Sequence, residues 1–284
     1  MRPPPVRASI PALALFLALA LARPAAGEDS GADADLPDDL TPTETAEVVA
    51  VPAGDLLILS DGRTVRLAGI EAPKRVTGRE GPEVRPLSDA ARAALADRVL
   101  GRAVGLALAD PPVDRWGRLR AHAVVADGRR WVQAALVEAG FARVAADPGS
   151  AAAARRLLAL EAAARAARRG IWAEPFYALR RPIETPGYVD TFQIVEGEVR
   201  EVSVARSGRI YLNFGADWRT DFTVAVDRQA RPAFAGAGID PAALAGRPVR
   251  VRGWIYAFDG PRIDLAAPWQ IELPGPEESS ALRP

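Results

Sequence analysis

Short apolar runs separated by turn residues dominate the chain from residue 48 onward. Runs rich in Val, Ile, Leu and Thr predict strands over 48–51, 56–59, 64–67, 104–108 and 119–125. Ser60-Asp61-Gly62 separates the second and third runs, and Asp-Gly pairs are typical of tight hairpin turns. We therefore expect five strands joined largely by short connections in this part of the chain.

A different spacing follows the third strand and recurs after the fifth. Apolar residues three and four positions apart predict helices over 87–100, 131–139 and 150–169. Gly140 and Gly170 follow the last two helices, where glycine readily adopts the left-handed conformation that ends a helix. Five strands with three helices packed outside them predict a small β-barrel domain over 48–179.

A second β-rich unit begins after the Pro/Gly-punctuated stretch 180–187. Strands are predicted over 192–202, 209–214, 222–226, 249–256 and 263–265, with a short helical insertion over 241–245. Three strands, a helix and two strands fit an oligonucleotide-binding (OB) type barrel, here over 188–274, with a disordered tail over 275–284. The predicted fold class is mainly β with α (α+β), with two successive small barrels.

The N-terminus has the pattern of a secretory signal peptide. Arg2 and Arg7 precede the apolar run 10–21, and the small residues Ala25-Ala26-Gly27 follow it. A spanning helix needs roughly 20 apolar residues, so we expect cleavage after Gly27 and no later membrane segment. The prediction is export to the periplasm or the extracellular space; an uncleaved N-terminal anchor is the alternative.

Charge is distributed unevenly behind the predicted signal peptide. Residues 28–47 contain eight acidic side chains and no basic one, which predicts a disordered acidic leader. The remaining 48–284 contain 33 basic and 28 acidic side chains, a balance that permits an anionic ligand. The chain has no cysteine, which excludes disulfides and thiolate metal sites.

Four short stretches of the first unit carry the candidate chemistry: Gly54-Asp55, 65–73, 114–119 and Asp127-Gly128. They offer carboxylates at the ends of adjacent predicted strands and arginines on neighbouring ones. Hard cations such as Ca²⁺ take several oxygen ligands, and guanidinium groups grip phosphate oxygens in pairs. The pattern indicates phosphoryl chemistry.

The order, spacing and flanking residues of these stretches resemble the staphylococcal nuclease (thermonuclease) domain over residues 46–174. The resemblance includes the closing Gly170-Ile171-Trp172. It implies an OB-fold barrel of five strands with three helices, and Ca²⁺-dependent hydrolysis of DNA or RNA, with single strands as the expected partner.

The resemblance also implies site residues. Asp55 and Glu71 match the two calcium carboxylates, although the family has Asp at the second position, and Ala72 matches a residue that contributes its backbone carbonyl. Arg66 and Arg118 match the arginines that bind the phosphate and stabilise its transition state.

The resemblance also implies residues that contact the substrate or the attacking water, and this sequence departs from the family at one of them. Trp116 stands where an aromatic residue lies against the nucleotide, whereas Lys74 replaces the glutamate that acts as general base. A charged lysine has no acceptor, and loss of a general base typically costs about 10²- to 10⁴-fold in rate. We therefore expect hydrolysis to be weak or altered.

Three roles for Lys74 remain open. It could pair with Asp55 and Glu71 in place of a metal charge, lose its proton and act as a base, or be a loop residue without a role. Glu80 or Glu83 could supply a replacement base. The two function classes are a secreted nuclease with weak or altered activity and a non-catalytic module that binds nucleic acid or an envelope partner.

Several of these residues, and other polar and aromatic ones, can also be interpreted as structural residues without a catalytic or binding role. Asp55 could be a turn residue, Arg66 and Arg118 could be surface arginines, and His122 is expected to be structural. Barrel and helix packing predicts a core role for the following aromatics: Trp131, Phe141, Trp172, Phe222, Trp254 and Tyr256. The second barrel's expected surface candidates for stacking bases are Tyr211 and Trp218, with Arg209 and Arg219.

Overall fold

The computed structural model describes residues 35–78, 81–125, 130–145, 150–217 and 219–275. The predicted signal peptide, the leader before residue 35, Glu80, Asp127-Gly128, Trp218 and the predicted tail beyond residue 275 lie outside these ranges. The described residues belong to one compact unit. Within them, no helix combines the length and the apolar character needed to cross a bilayer.

The first barrel is built from five strands: β1 (Glu44–Ala53), β2 (Leu56–Leu59), β3 (Thr64–Leu67), β7 (Ala103–Val113) and β8 (Leu119–Val125). Shorter strands complete it: β4 (Ile70–Glu71), β5 (Arg75–Gly78), β6 (Gly81–Val84), β9 (Arg130–Trp131) and β10 (Arg143–Val144). β1 pairs antiparallel with β2 and β7, and β2–β3 and β7–β8 are also antiparallel. The parallel pair β3–β8 closes the barrel.

Three helices cover the first barrel: α1 (Ser88–Val99), α2 (Val132–Glu138) and α3 (Ala151–Ala166). Strand residues alternate between faces, so Leu57 and Leu59 of β2 and Val65 and Leu67 of β3 are buried while their neighbours are partly exposed. Burial of one such side chain stabilises the fold by about 1.5–3 kcal/mol. This alternation fixes which residues of β3 face outward, among them Arg66.

The second barrel repeats the strand order of the first. Its elements are β11 (Phe192–Glu198), β12 (Glu201–Val204), β13 (Ile210–Asn213), β14 (Thr223–Val226), α4 (Arg231–Gly236), β15 (Pro248–Trp254), β16 (Tyr256–Ala257), β17 (Pro261–Leu265) and β18 (Ile271–Glu272). β12–β13–β14 form a meander, β14 runs parallel to β17, β17 pairs with β16, and β15 returns to β11. The predicted fold class, two successive barrels of OB type, is confirmed.

The predicted elements agree with the structure at most strands. β2, β3 and β8 have the predicted bounds, whereas the strand predicted over 192–202 is divided into β11 and β12. The helical insertion expected over 241–245 is a 3₁₀ turn at Pro241–Ala243, and α4 precedes it. Proline at the start of both short helices explains where they begin.

The predicted leader is wrong in its described part. β1 starts at Glu44, and Leu36 and Leu40 pack against the first core. Of the acidic side chains of this stretch, Glu44 contacts Arg63 at 3.0 Å, and Asp39 accepts a hydrogen bond from Ser150 at 2.8 Å. The high acidic content therefore hid the start of a central strand, which pairs with β2 and β7 and packs Ala46 and Val48 against the core.

The stretch between the barrels is packed rather than extended. It contains the 3₁₀ helices Gly170–Ala173, Pro175–Tyr177 and Pro182–Tyr188. A small core of Ile171, Trp172 and Tyr177 with Ile194 of β11 joins this stretch to the second barrel. The domain division over 180–187 stays a prediction.

Candidate functional site

Asp55 lies in the turn between β1 and β2, and its side chain is fully buried. Its backbone carbonyl accepts a hydrogen bond from the Leu67 amide at 2.9 Å, which ties the turn to β3. A Cβ at Gly54 would lie 2.9 Å from the Cβ atoms of Ala72 and Ala91, so glycine permits this close approach. The turn thereby brings Asp55 beside Ala72, whose amide is 3.4 Å from Asp55 Oδ2.

Lys74 bridges the two carboxylates at the centre of the site. Its Nζ lies 2.8 Å from Asp55 Oδ2 and 2.9 Å from Glu71 Oε1. Glu71 ends β4 and is almost fully buried, and Lys74 follows it after one turn of chain through Ala72 and Pro73. Lys74 thus contacts both carboxylates, as the first of its three predicted roles requires, and the role itself stays a prediction.

Arg66 supplies the second cation. Its Nη2 lies 2.6 Å from Glu71 Oε2 and 3.5 Å from Asp55 Oδ2, and it donates a hydrogen bond of 3.2 Å to the Ile70 carbonyl. Burial opposes protonation of Arg66, but Asp55 and Glu71 outweigh it and raise the pKa of the guanidinium. Asp55, Glu71, Arg66 and Lys74, hereafter the charge cluster, balance two negative with two positive charges.

The donor set does not fit Ca²⁺. Ca²⁺ takes six to eight oxygen ligands, whereas both carboxylates of the charge cluster already contact ammonium and guanidinium groups. A divalent ion about 4 Å from a charged Lys74 would be repelled by several kcal/mol at an effective dielectric of about 20. Across the described ranges, no three His, Cys, Asp or Glu side chains are grouped to hold a metal ion.

Arg118 contacts Asp114 and Trp116 at the hairpin between β7 and β8. Asp114 organises this hairpin by accepting hydrogen bonds from the amides of Trp116 and Arg118 and from Arg118 Nε at 2.7 Å. Burial would raise the pKa of Asp114, but these hydrogen bonds lower it overall. Gly117 adopts a φ of 77°, which lets the chain reverse direction here.

Trp116 stands at the tip of this hairpin and is 62% exposed. The guanidinium of Arg115 lies 4.0 Å and that of Arg118 4.7 Å from the centroid of its ring. The negative face of an aromatic ring attracts cations such as these guanidinium groups. The predicted substrate-side residues Trp116 and Arg118 are therefore brought together, around an indole surrounded by positive charge.

Arg120 was missed by the sequence reasoning. In the parallel pair β3–β8 it lies directly opposite Arg66, whereas Arg118 precedes the strand. The sequence offered only the spacing of two between Arg118 and Arg120, which does not indicate that Arg120 lies beside Arg66. Burial lowers the pKa of Arg120, and the neighbouring Arg66 lowers it further.

The remaining predicted residues divide between the core and the surface. His122 is buried against Trp131, and burial lowers the pKa of His122 to about 4, which supports its structural role. Phe222, Trp131 and Trp172 are core residues as predicted. Trp254 is not, because it ends β15 at the rim of the second barrel and is 51% exposed.

The surface residues expected to stack bases on the second barrel differ in their surroundings. Arg209 Nη2 contacts Asp264 at 2.7 Å, and its guanidinium lies 5.7 Å from the ring of Tyr211. Arg219 is exposed, and Trp218 lies outside the described ranges. Glu83 belongs to β6.

Comparison with known proteins bears on the first barrel. Residues 64–174 match the family model described as staphylococcal nuclease homologue. The match begins at β3, so β1, β2 and Asp55 precede it, and it does not extend into the second barrel. No curated protein matches this chain significantly. Together with the closed five-stranded barrel, this match shows that residues 64–174 belong to a staphylococcal nuclease homologue domain.

Proposed function

We propose that this protein binds nucleic-acid strands through their phosphodiester groups on the first barrel, without a metal ion and without efficient hydrolysis. The observation that carries the proposal is the contact of Lys74 Nζ with both Asp55 and Glu71, at 2.8 and 2.9 Å. An ammonium group in this position supplies positive charge to the carboxylates. It offers no acceptor that could orient an attacking water.

Donors for phosphate remain on the outward face of β3 and β8. The contacts of Arg66 with Asp55, Glu71 and Ile70 all use Nη2, and its Nε is buried, so the N–H donors of Nη1 are the ones left for a phosphate. Arg120 lies opposite Arg66 in the strand register. Two neighbouring guanidinium groups can grip the oxygens of a phosphodiester, with charge-assisted hydrogen bonds.

A second candidate function is a nuclease with weak or altered Ca²⁺-dependent activity on DNA or RNA. The observation that favours it is the retention of Asp55, Glu71 and Arg66 in one contacting cluster. Charge stabilisation by arginine can be worth as much as a general base. Against this candidate, Lys74 occupies the space between the carboxylates, so the binding function is the better supported.

Affinity for a fluorescent single-stranded oligonucleotide, measured by anisotropy with chelator and with millimolar Ca²⁺, tests the proposal. We expect the same affinity under both conditions, and weaker binding for Arg66→Gln. Arg63→Gln is the matched control, since Arg63 is also an ion-paired arginine but contacts Glu44 and Asp61 outside the charge cluster. Binding that requires Ca²⁺, or equal losses in both variants, would contradict it.

Export is a separate proposal that rests on the order of basic, apolar and small residues before Glu28. The protein recovered from the extracytoplasmic fraction is expected to begin at or near Glu28. Intact-mass measurement on that fraction checks this. A mass that retains residues 1–27 would favour an N-terminal anchor instead.

A further inference from the structure

An open cleft of about 430 Å³ separates the charge cluster from the second barrel. The first barrel lines it with Arg66, Glu71, Asp114, Trp116 and Arg120, and the second with Phe192, Trp254 and Tyr256 among others. This volume is within the range of about 300–1,000 Å³ that is usual for ligand pockets. The cleft joins the phosphate-binding face of the first barrel to an aromatic wall of the second.

Trp254 provides an open aromatic surface in this cleft. Its side chain is half exposed although it follows six buried or partly buried residues of β15. Phe192 contacts it edge to face, with ring centroids 6.4 Å apart and planes at 77°. Because Trp254 is 51% exposed and lines the cleft, part of its indole ring is open to a ligand.

The wall of the cleft that the first barrel contributes carries positive charge and no second open aromatic surface. The ring of Trp116 already holds Arg115 and Arg118, and Arg66 and Arg120 lie side by side on β3 and β8. The like charge of Arg66 contributes to the lowered pKa of Arg120, after burial, so an anion between the two would relieve their repulsion. This wall suits a phosphate.

The acidic side chains of the cleft are compensated by local cations. Asp114 pairs with Arg118 at 2.7 Å, Glu71 with Arg66 and Lys74, and Asp264 with Arg209 at 2.7 Å. The carboxylates therefore do not repel a phosphate as isolated charges would. A ligand that carries both a negative charge and a planar apolar ring matches the two walls.

The two walls are held in a fixed relation by buried contacts between the barrels. Arg252 of β15 is fully buried and contacts Glu161 of α3 at 2.7 Å, and Arg143 of β10 donates to the Phe192 carbonyl at 2.7 Å. Phe192 and Trp254 thus sit on strands anchored to the first barrel. A cleft that is formed in advance lowers the ordering cost of binding.

We propose that this cleft is a binding site for unpaired nucleotides, in which a base stacks on Trp254 while its phosphate contacts Arg66 and Arg120. The inference rests on the proposed function and adds the second barrel to the site. Only an unpaired strand can offer a free base face to one indole, because bases within a duplex are stacked on their neighbours. The cleft therefore selects single strands over duplexes.

The test uses the full chain in chelator and three probes of equal length: a thymidine oligonucleotide, an abasic oligonucleotide and a duplex. The unaltered protein is expected to bind the thymidine strand most tightly. Trp254→Ala is expected to weaken this binding on the order of 5- to 100-fold, the range for loss of one stacked base, and to leave abasic binding unchanged. Trp254→Phe should restore most of the affinity.

Phe258→Ala is the matched control, because Phe258 is an equally exposed aromatic of the same barrel outside the cleft lining. Melting curves of both variants check that each is folded. Equal thymidine and abasic affinities, or equal losses in Trp254→Ala and Phe258→Ala, would overturn base stacking while leaving phosphate binding intact. Failure of the unaltered protein to bind any probe would overturn the proposed function and this inference together.

Discussion

At residue 74, one side chain determines the charge balance of the site. With Lys74 in place, two carboxylates face two cations, and Asp55 and Glu71 have no need of a metal ion. A carboxylate at this position would change the cluster to three negative charges against one positive. Because the rest of the cluster is already assembled, we propose that residue 74 is the position at which binding and hydrolysis are separated.

Lys74→Glu is expected to create or raise Ca²⁺-dependent cleavage of single-stranded nucleic acid. Removal of the ammonium group ends its repulsion of a divalent ion, and the new carboxylate restores an acceptor for water. The gain should reach up to about 10²- to 10⁴-fold over the starting protein, measured as the rate of oligonucleotide cleavage in millimolar Ca²⁺.

The double variant Lys74→Glu/Arg118→Ala is the control for this gain. Arg118 lies at the β7–β8 hairpin with Trp116, and the loss of its charge should abolish most of the gain. No increase in the single variant would mean that the loop after Pro73 does not hold a base in position. The binding function would then stand alone.

His122 predicts a pH dependence of stability. Burial disfavours its charged form and lowers its pKa from 6.5, the value of an unperturbed histidine, to about 4 in the folded protein. The unfolded chain therefore binds more protons between these values, so stability is complete above pH 6.5 and falls as the pH drops toward 4. Between pH 7.5 and 5 this single group accounts for about 2 kcal/mol.

His122→Leu isolates this contribution. The free energy of unfolding, from urea titrations at pH 7.5 and pH 5, should fall by about 2 kcal/mol more in the unaltered protein than in the variant. Other acid-sensitive groups are common to both proteins and cancel in the comparison. An identical pH dependence would show that His122 is charged, or paired, in the folded state.

At the scale of elements, some helix ends and turns were predictable from local residues. Gly140 follows the C-terminus of α2 as predicted, with a φ of 74°. The prediction that Gly170 ends α3 is wrong, because α3 ends at Ala166 and Arg168, with a φ of 52°, is the left-handed residue after it. Gly170, with a φ of 51°, begins the 3₁₀ helix Gly170–Ala173. The structure adds a contact that the sequence could not show. A Cβ on Gly140 would lie 2.3 Å from the Arg169 carbonyl, and one on Gly170 would lie 2.2 Å from the Gly140 carbonyl.

Gly140→Ala is therefore expected to destabilise the protein by about 2–5 kcal/mol, from left-handed strain together with overpacking. Gly62→Ala is the control, because Gly62 has a φ of 85° with no neighbouring atom within 4 Å of the added Cβ. It should cost only the conformational part, about 1–2 kcal/mol. Equal urea midpoints for the two variants would contradict the close packing of these helix ends.

Other features escaped local prediction because they depend on partners distant in sequence. Residues Glu44 to Glu47 were assigned to the disordered leader because the stretch is acidic, yet they pair with β7. Trp254 was predicted to be a core residue because it is a large aromatic in a small barrel, yet it is half exposed at the rim of that barrel. Arg120 drew no attention because only the parallel β3–β8 pair places it opposite Arg66. Residue composition and spacing do not specify which strand edge faces a cleft.

At the scale of the whole molecule, buried charges connect the barrels. Arg252 is fully buried between Glu161 of the first barrel and Glu272 of the second, and it also donates to the Val144 carbonyl at 3.2 Å. Arg250 contacts Glu196 at 2.5 Å and Glu272 at 3.2 Å in the same network. Glu161 is itself fully buried, so each barrel carries a charge whose partner lies in the other.

Arg252→Met is expected to cost about 3–5 kcal/mol of stability, because it leaves Glu161 buried without its nearest cation. The unaltered protein should unfold in one transition in calorimetry, with the variant shifted to lower temperature as a whole. Arg252→Met/Glu161→Gln should recover most of the loss, since both buried charges are then gone. Two transitions, of which only one moves, would show that the barrels are independent.

If Lys74 holds the cation position as proposed, the protein binds nucleic-acid strands but does not cleave them efficiently. The cleavage rate of a single-stranded oligonucleotide by the unaltered full-length protein at saturating concentration, in Ca²⁺ and in chelator, tests this. We expect intact oligonucleotide in both conditions while the same samples show it bound. Rapid cleavage that appears with Ca²⁺ and disappears with chelator would contradict it.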